Sequence, residues 1–325
     1  MASMRTDVES LERLELLSSV ASWYYESGLD QHQIADRIGR SRSMVSRLLT
    51  EAREAGVIEI RVRFPLRRER DLEDRLQETF GLTGCQVLAG STLPYGDLLR
   101  RLGQLAARSL ETRLHSEVRV AVGWGAALHA TVAALPEIRL DDAMVIQVMG
   151  SVGDGDPHVD GPDLARELAF RLNGDFRFLA SPLYVDSAPV ATSLLADRTI
   201  ARTLDLARRS DVMVTGVGAI DHSLSGIVRA GHITEEHSRD LKDRGVVGDV
   251  LGFLMRDDGS IAEIEENERV VSLHPSQMAD IPTVIGVAGG IEKAVAIGAA
   301  LRAGYFDVLV TDEEAAVGIL ELVED

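Results

Sequence analysis

Lysine is almost missing from this chain. Of 34 basic residues only Lys242 and Lys293 are lysines; a GC-rich coding bias is the plain cause, and at Lys293 a compact, mobile cation is the alternative reason for keeping a lysine. Cysteine is rarer still. The single Cys85 excludes an internal disulfide and any multi-cysteine metal site. No run approaches the roughly 20 apolar residues needed to span a bilayer, and the opening MASMRTDVES has no apolar core of signal-peptide length. The expected compartment is the cytoplasm, with no membrane partner. Low-complexity tracts and fixed-period repeats are also missing.

What is present is a basic island on an acidic protein. The 325 residues carry a net charge of −18, yet Arg37 to Arg70 holds ten arginines against four glutamates. That is the electrostatic footprint of a phosphate-binding face, with the remaining surface repelling nucleic acid. Within the island, the spacing from Gln31 to Leu48 predicts a helix-turn-helix. Counted from Gln31, Ala35 is fifth, Gly39 ninth, Val45 fifteenth and Leu48 eighteenth. The alanine lets two helices cross closely, the glycine takes a backbone angle most residues refuse, and Val45 with Leu48 anchors the second helix. Asp30 with Gln33 forms a capping-box pair, and Ser41 caps the next helix, expected from Arg42 to about Ala55. Arg40, Ser41, Arg42, Ser43, Ser46, Arg47 and Arg53 are then the candidate DNA-contacting residues. Leu14, Leu17, Val20, Ala21, Tyr24 and Tyr25 recur at helical spacing and predict a support helix ending near Gly28. After Gly56, the alternation in VIEIRVRF (57–64) predicts a half-buried ribbon, which would complete a winged helix-turn-helix.

The length calls for a second, larger domain. Expected boundaries are 1–64 for the reader, 65–81 for a linker helix and 82–325 for the large domain. In the linker, Leu72, Leu76 and Phe80 form one narrow apolar seam, which can pack on the large domain or on the same helix of a second subunit. Beyond Val118, apolar segments end in glycine turns followed by helical patterns: Val118 to Leu128, Ala143 to Gly153, Asp211 to Ile220, Thr283 to Ala294 and Asp307 to Ala316. Continuously apolar strands imply a sheet buried on both faces, hence a Rossmann-like, mainly parallel α/β domain. Ligands of such sheets sit beyond the strands' carboxyl ends, so the five turns should converge on one crevice. The GWG turn (Gly123 to Gly125) and the AGG turn (Ala288 to Gly290) offer N–H groups to an anion, and Lys293 follows about one helical turn later.

In order and spacing, the reader, the GWG turn, GVGAI (216–220), GDVLGFLM (248–255), VIGVAGGIEKAVAI (284–297) and LVTDEEAA (309–316) resemble the SorC-type (SorC/DeoR-like) sugar-binding bacterial transcriptional regulators over nearly the whole chain. The resemblance implies an effector domain similar to sugar-phosphate isomerases and deaminases. It also implies a homo-oligomer, dimer or tetramer, whose binding to double-stranded operator DNA of carbohydrate or polyol genes responds to a sugar, sugar-phosphate or polyol effector. Carried over by position, the effector site would comprise Gly123, Trp124, Gly125, Gln147, Gly216, Gly218, Asp249, Gly290, Lys293 and Asp312. Asp249 and Gln147 would bond sugar hydroxyls and Lys293 would meet an anionic end. Many relatives carry a threonine after GWG where this chain has Ala126 and Ala127, so both a phosphorylated and a free ligand stay open. Some carry a lysine near Met149 that could form a Schiff base; none stands here, and noncovalent binding is expected.

Asp154, Asp156, His158 and Asp160 alternate like a metal loop, but the twelfth position is Ala165, and a solvated lid is the expectation. No histidine stands in metal-ligand spacing, so neither a metal nor a cofactor is expected. Trp124 can stack on a sugar ring or belong to the core. An isomerase or deaminase is the alternative function, with Asp249, Asp312 and Glu313 as candidate bases. No histidine sits in the glycine turns to assist ring opening, so the chain is read as a non-enzyme without catalytic residues.

Overall fold

The computed structural model describes residues 2–58, 65–90, 93–153, 160–221 and 225–324, which form two compact units, one up to Pro65 and the other from Leu66 onward. Among its described residues the first unit has three helices: α1 (Ala2–Tyr25), α2 (Gln31–Ile38) and α3 (Arg42–Glu54). Its core is Leu17, Val20, Ile34, Ala35, Val45, Leu48, Leu49 and Ala52, the residues that the helical spacing pointed inward. Leu14 and Tyr25, expected on the same stripe of α1, are exposed instead. Of the expected wing, Val57 and Ile58 pack on the core, and 59–64 lie outside the described residues.

The second unit opens with α4 (Arg70–Phe80). Leu76 is buried and Leu72 and Phe80 partly buried in the main apolar cluster of this unit, so of the two packing modes open to the seam this chain adopts the first. A polar lock holds it: the buried Glu73 carboxylate accepts Arg68 Nε at 2.6 Å, Arg68 Nη2 at 2.7 Å and the Val87 amide at 2.9 Å.

Among the described residues ten strands follow: β1 (Gly84–Leu88), β2 (Arg119–Val122), β3 (Met144–Gln147), β4 (Asp175–Arg177), β5 (Val212–Thr215), β6 (Gly218–Ala219), β7 (Val246–Val250), β8 (Phe253–Arg256), β9 (Val284–Val287) and β10 (Val308–Asp312). Seven make one sheet in the order β1-β10-β9-β5-β2-β3-β4, and every pairing in it is parallel. Alternate residues serve opposite faces. Val120, Val122, Val212, Val214, Ile285, Val287, Val308 and Val310 join one cluster, under α5 (Tyr95–Glu111) and α6 (Ala126–Ala134). Ala121, Ile146, Met213, Val284 and Leu309 join the other. Both faces are thus dry, as their apolar sequences require. From β2 the chain runs outward through β3 and β4, whereas β5, β9 and β10 lie on the other side. The β2/β5 boundary is therefore the topological switch point, where such sheets leave a crevice. A small antiparallel sheet, β6-β7-β8, stands beside it.

Candidate functional site

In the first unit, local chemistry sets both helix starts. Asp30 Oδ1 accepts the His32 and Gln33 amides at 2.8 and 2.9 Å, and Gln33 Oε1 accepts the Asp30 amide at 2.9 Å. Gly39 ends α2 in the left-handed region at φ 62°, which favours glycine. Ser41 Oγ accepts the Met44 amide at 3.3 Å and also lies 2.9 Å from Ser43 Oγ, so Ser41 is occupied as a cap. With Val45, Leu48, Leu49 and Ala52 buried, the opposite side of α3 is free: Arg40, Ser41, Arg42, Ser43, Ser46, Arg47 and Arg53 are all exposed. The Arg37 guanidinium stacks 4.4 Å from the Trp23 ring centre, and Arg13 pairs with Glu51.

In the second unit, a cavity of about 370 Å³ opens at the switch point. Trp124, Gly125, Gly216, Gly218, Asp249 and Lys293 line it, six of the ten residues expected there. The GWG turn is tied to β5 by the Gly123 amide, which donates to Val214 O at 3.0 Å. Gly123 itself faces Thr215: a Cβ there would lie 2.8 Å from Thr215 Oγ1. Gly125 turns at φ 118° and leads into α6, whose first turn has no side-chain cap. Its amides therefore face the cavity rim beside Ala126 and Ala127. Trp124 packs on the apolar clusters and also lines the cavity, covering Gly226 closely enough to leave no room for a side chain.

Asp249 is the buried acid of the site. β6 pairs with β7 so that Gly218 stands opposite Asp249. Burial pushes the Asp249 carboxyl up to about 6, against the Lys293 charge and the Gly252 amide, which hold it down. Lys293 is half-buried, and its Nζ donates to Val217 O at 3.0 Å. One surviving lysine is thus a fixed cation on the wall of the cavity.

Four expected residues stand behind the wall instead of on it. Gln147 is fully buried, and both ends of its amide are used: Nε2 donates to Met149 O at 2.6 Å and Oε1 accepts the Leu179 amide at 3.0 Å. It ties the β3 turn to the segment after β4 and has no reach into the cavity. Asp312 is buried and accepts the Gly290 amide at 2.7 Å; burial raises its carboxyl above the ordinary range, and the Gly290 and Ala315 amides oppose that rise. It shapes the AGG turn, where Gly290 sits at φ 97°. Gly123 and Gly290 act likewise through backbone geometry.

Tyr95, Val152, Thr215, Gly226, Leu251 and Arg229 line the cavity without having been expected. Tyr95 and Arg229 come from helices remote in sequence, and an arginine in this chain carries no compositional mark. Of the alternating acids, only Asp160 is described. It caps helix 161–172, accepting the Gly161 and Val152 amides at 2.8 and 3.0 Å, while 154–159 lie outside the described residues. Among the described residues, no cluster of three or more metal-ligating side chains is found, and no helix is long and apolar enough to cross a membrane.

An N-terminal helical unit whose α2 and α3 have the spacing of a helix-turn-helix, followed by a parallel α/β unit whose switch-point cavity holds a carboxylate and an ammonium, points to a class, the ligand-responsive DNA-binding regulators. Comparison with known proteins gives the family. The model of the sugar-binding domain family (Sugar-bind) matches residues 65–321. The transcriptional regulator LsrR of Klebsiella pneumoniae is 33% identical over 316 residues, covering 96% of this chain and 95% of that protein. The full-length sorbitol operon regulator SorC of Klebsiella pneumoniae superposes with a TM-score of 0.72 at 26% identity, over 94% of this chain and 98% of that one. A DeoR family transcriptional regulator from Listeria monocytogenes gives 0.70 at 26% identity over 77% and 98%. The chain belongs to this sugar-binding domain family and is a SorC-type, sugar-responsive DNA-binding transcriptional regulator.

Proposed function

We propose that a sugar, sugar-phosphate or polyol bound between the GWG turn, the Gly216 to Gly218 turn and Lys293 sets the affinity of the N-terminal unit for its operator. The observation that carries this reading is the pairing, in one cavity, of a buried carboxylate, Asp249, with a fixed ammonium, Lys293. A carboxylate accepts hydrogen bonds from vicinal hydroxyls, and an ammonium meets an anionic or oxygen-rich end. The volume, about 370 Å³, lies in the range of roughly 300–1,000 Å³ usual for small-molecule sites. Trp124 offers an apolar wall for a ring face.

Binding is favoured over turnover. Among the described lining residues Asp249 is the one acid and no histidine accompanies it, an arrangement that suits holding a ligand better than the acid–base work of ring opening or deamination. Operator contact falls to the exposed side chains of α3 and its turn: Arg40, Arg42, Ser43, Ser46, Arg47 and Arg53, with Ser41 holding the helix start. Such readers address two half-sites as dimers, which fits a cytoplasmic homo-oligomer whose paired readers shift when the effector binds.

A thermal-shift screen against paired free and phosphorylated sugars and polyols tests the site, because a ligand that binds only the folded state raises the melting temperature. A shift that Asp249→Asn or Lys293→Met abolishes supports the assignment. A shift that both variants retain in full places the effector elsewhere.

A further inference from the structure

The outward side of α3 can be sorted by what each side chain has left to offer. Val45, Leu48, Leu49 and Ala52 are buried. At about 100° per residue, the direction opposite them passes closest to Ser43, Arg47, Thr50 and Glu54, and all four are exposed. Ser43 Oγ is already engaged with the Ser41 cap at 2.9 Å. Thr50 Oγ1 donates to Ser46 O at 3.1 Å, the back-bond to the preceding turn that a helical threonine can make. Its hydroxyl is thereby tied to the helix's own backbone, and the methyl is the group that Thr50 has to give. Glu54, one turn further on, is an acid that phosphate repels. Thr50 is thus an apolar point on a polar face, three residues from Arg47 on one side and from Arg53 on the other.

That chemistry has one match among the base edges of the major groove. Thymine alone of the four bases carries a methyl there, at C5, and a threonine methyl packs on it. An arginine pairs with guanine, while a serine hydroxyl such as that of Ser46, donor and acceptor at once, does not discriminate. Covering one methyl with another is worth about fourfold in affinity.

We infer that Thr50 is a specificity-determining residue, whose methyl packs on the C5 methyl of a thymine, so that each operator half-site carries an A·T pair under this turn of α3. The inference rests on the proposed placement of α3 in the major groove and adds to it the identity of a base pair.

The test uses the full chain and the tightest duplex it selects from a randomised pool. Each thymine of that duplex is replaced in turn by deoxyuridine, which removes the C5 methyl and nothing else, and affinity is read by fluorescence anisotropy. One thymine per half-site should cost about fourfold on becoming uracil. Thr50→Ser keeps the hydroxyl and loses the methyl. It should bind the thymine duplex about fourfold more weakly per half-site and no longer tell it from the uracil duplex. Thr50→Val keeps a methyl and should keep the distinction. A structural role for Thr50 would change overall affinity and leave the thymine-to-uracil ratio untouched.

The assignment is overturned if no uracil substitution weakens binding, or if Thr50→Ser retains the full uracil penalty at every thymine. Arg47→Ala then separates two failures. If it weakens specific binding, α3 reads DNA without Thr50; if it does not, α3 is not the reading helix and both readings fall. A pool from which no sequence is enriched overturns both as well.

Discussion

Asp249 is seated directly on the backbone of Gly218: a Cβ on that glycine would fall on the carboxylate oxygen Oδ1. The constraint is steric, since Gly218 is not among the glycines with positive φ, and it works through the β6–β7 pairing that sets the two residues opposite each other. Gly218→Ala should therefore fold and yet displace the acid of the cavity. A cost of roughly 1–3 kcal/mol is usual for such overpacking. Effector affinity, measured by titration calorimetry with whichever sugar raises the wild-type melting temperature, should fall about tenfold or more, as expected when a charge-assisted hydrogen bond is misplaced. An unaltered affinity would show that ligand does not touch Asp249.

The same carboxyl makes stability depend on pH. Burial raises Asp249 from the ordinary 3.8 to about 6, so the folded chain holds this proton more tightly than the unfolded chain. The stabilisation by the proton is complete below 3.8 and is lost as pH rises through about 6, a difference of about 3 kcal/mol at most. Asp249→Asn removes that loss. Relative to wild type, the variant should gain melting temperature between about pH 4 and about pH 7.5, the span that contains the shift. Because the amide brings its own packing cost, the informative quantity is the change in the difference between the two pH values; a constant difference would sink the idea.

The helix starts and the strand pattern were legible because their causes are local. Asp30, Gln33, Gly39 and Ser41 act on amides within a few residues of themselves, and strands apolar at every position can only be buried on both faces. The turns at the carboxyl ends of β2 and β5 followed from the same logic. Gln147 and Asp312 were misread for a physical reason: a polar residue at a strand end looks the same in sequence whether it faces a ligand or satisfies the amide of a distant loop. Here Leu179 and Gly290 supply those amides. Arg229 and Tyr95 were invisible because only tertiary packing brings them to the cavity. The docking of α4 likewise depends on Glu73 reaching the Val87 amide in the next element.

Arg47 lies exposed on α3, opposite the buried Val45, Leu48 and Leu49. Arg47→Ala should weaken specific operator binding by about 10- to 100-fold, the effect of one lost base contact of roughly 1–3 kcal/mol, while the sugar-induced melting shift stays as in wild type. Fluorescence anisotropy on a labelled operator measures the first and thermal denaturation the second. If the affinity falls uniformly on specific and random DNA, Arg47 is a phosphate contact, and the salt dependence should then flatten by about one charge. Undiminished operator affinity would remove Arg47 from the reading face.

Two cations of unequal character border the cavity, and the nature of the effector decides between them. Lys293 is half-buried and held at 3.0 Å by Val217 O, while Arg229 is exposed. Water screens the exposed charge, so its pairing with an anion is worth little, whereas a desolvated ammonium is worth more. For a phosphorylated effector, Lys293→Met, which keeps the length of the stem, should cost about 10- to 100-fold in affinity, or roughly 1.5–3 kcal/mol, and Arg229→Ala several-fold less. For a free polyol the order changes: with Ala126 and Ala127 giving no hydroxyl to the turn, Asp249 carries the recognition, and Asp249→Asn should then cost more than Lys293→Met. A second readout separates the two cases, because the Lys293 charge holds the Asp249 carboxyl down. Without it that carboxyl should rise further, and binding of a polyol that needs the ionised acid should begin at a higher pH in Lys293→Met than in wild type. An unshifted pH profile combined with unchanged affinity for both ligand types would mean that Lys293 only braces the Val217 turn.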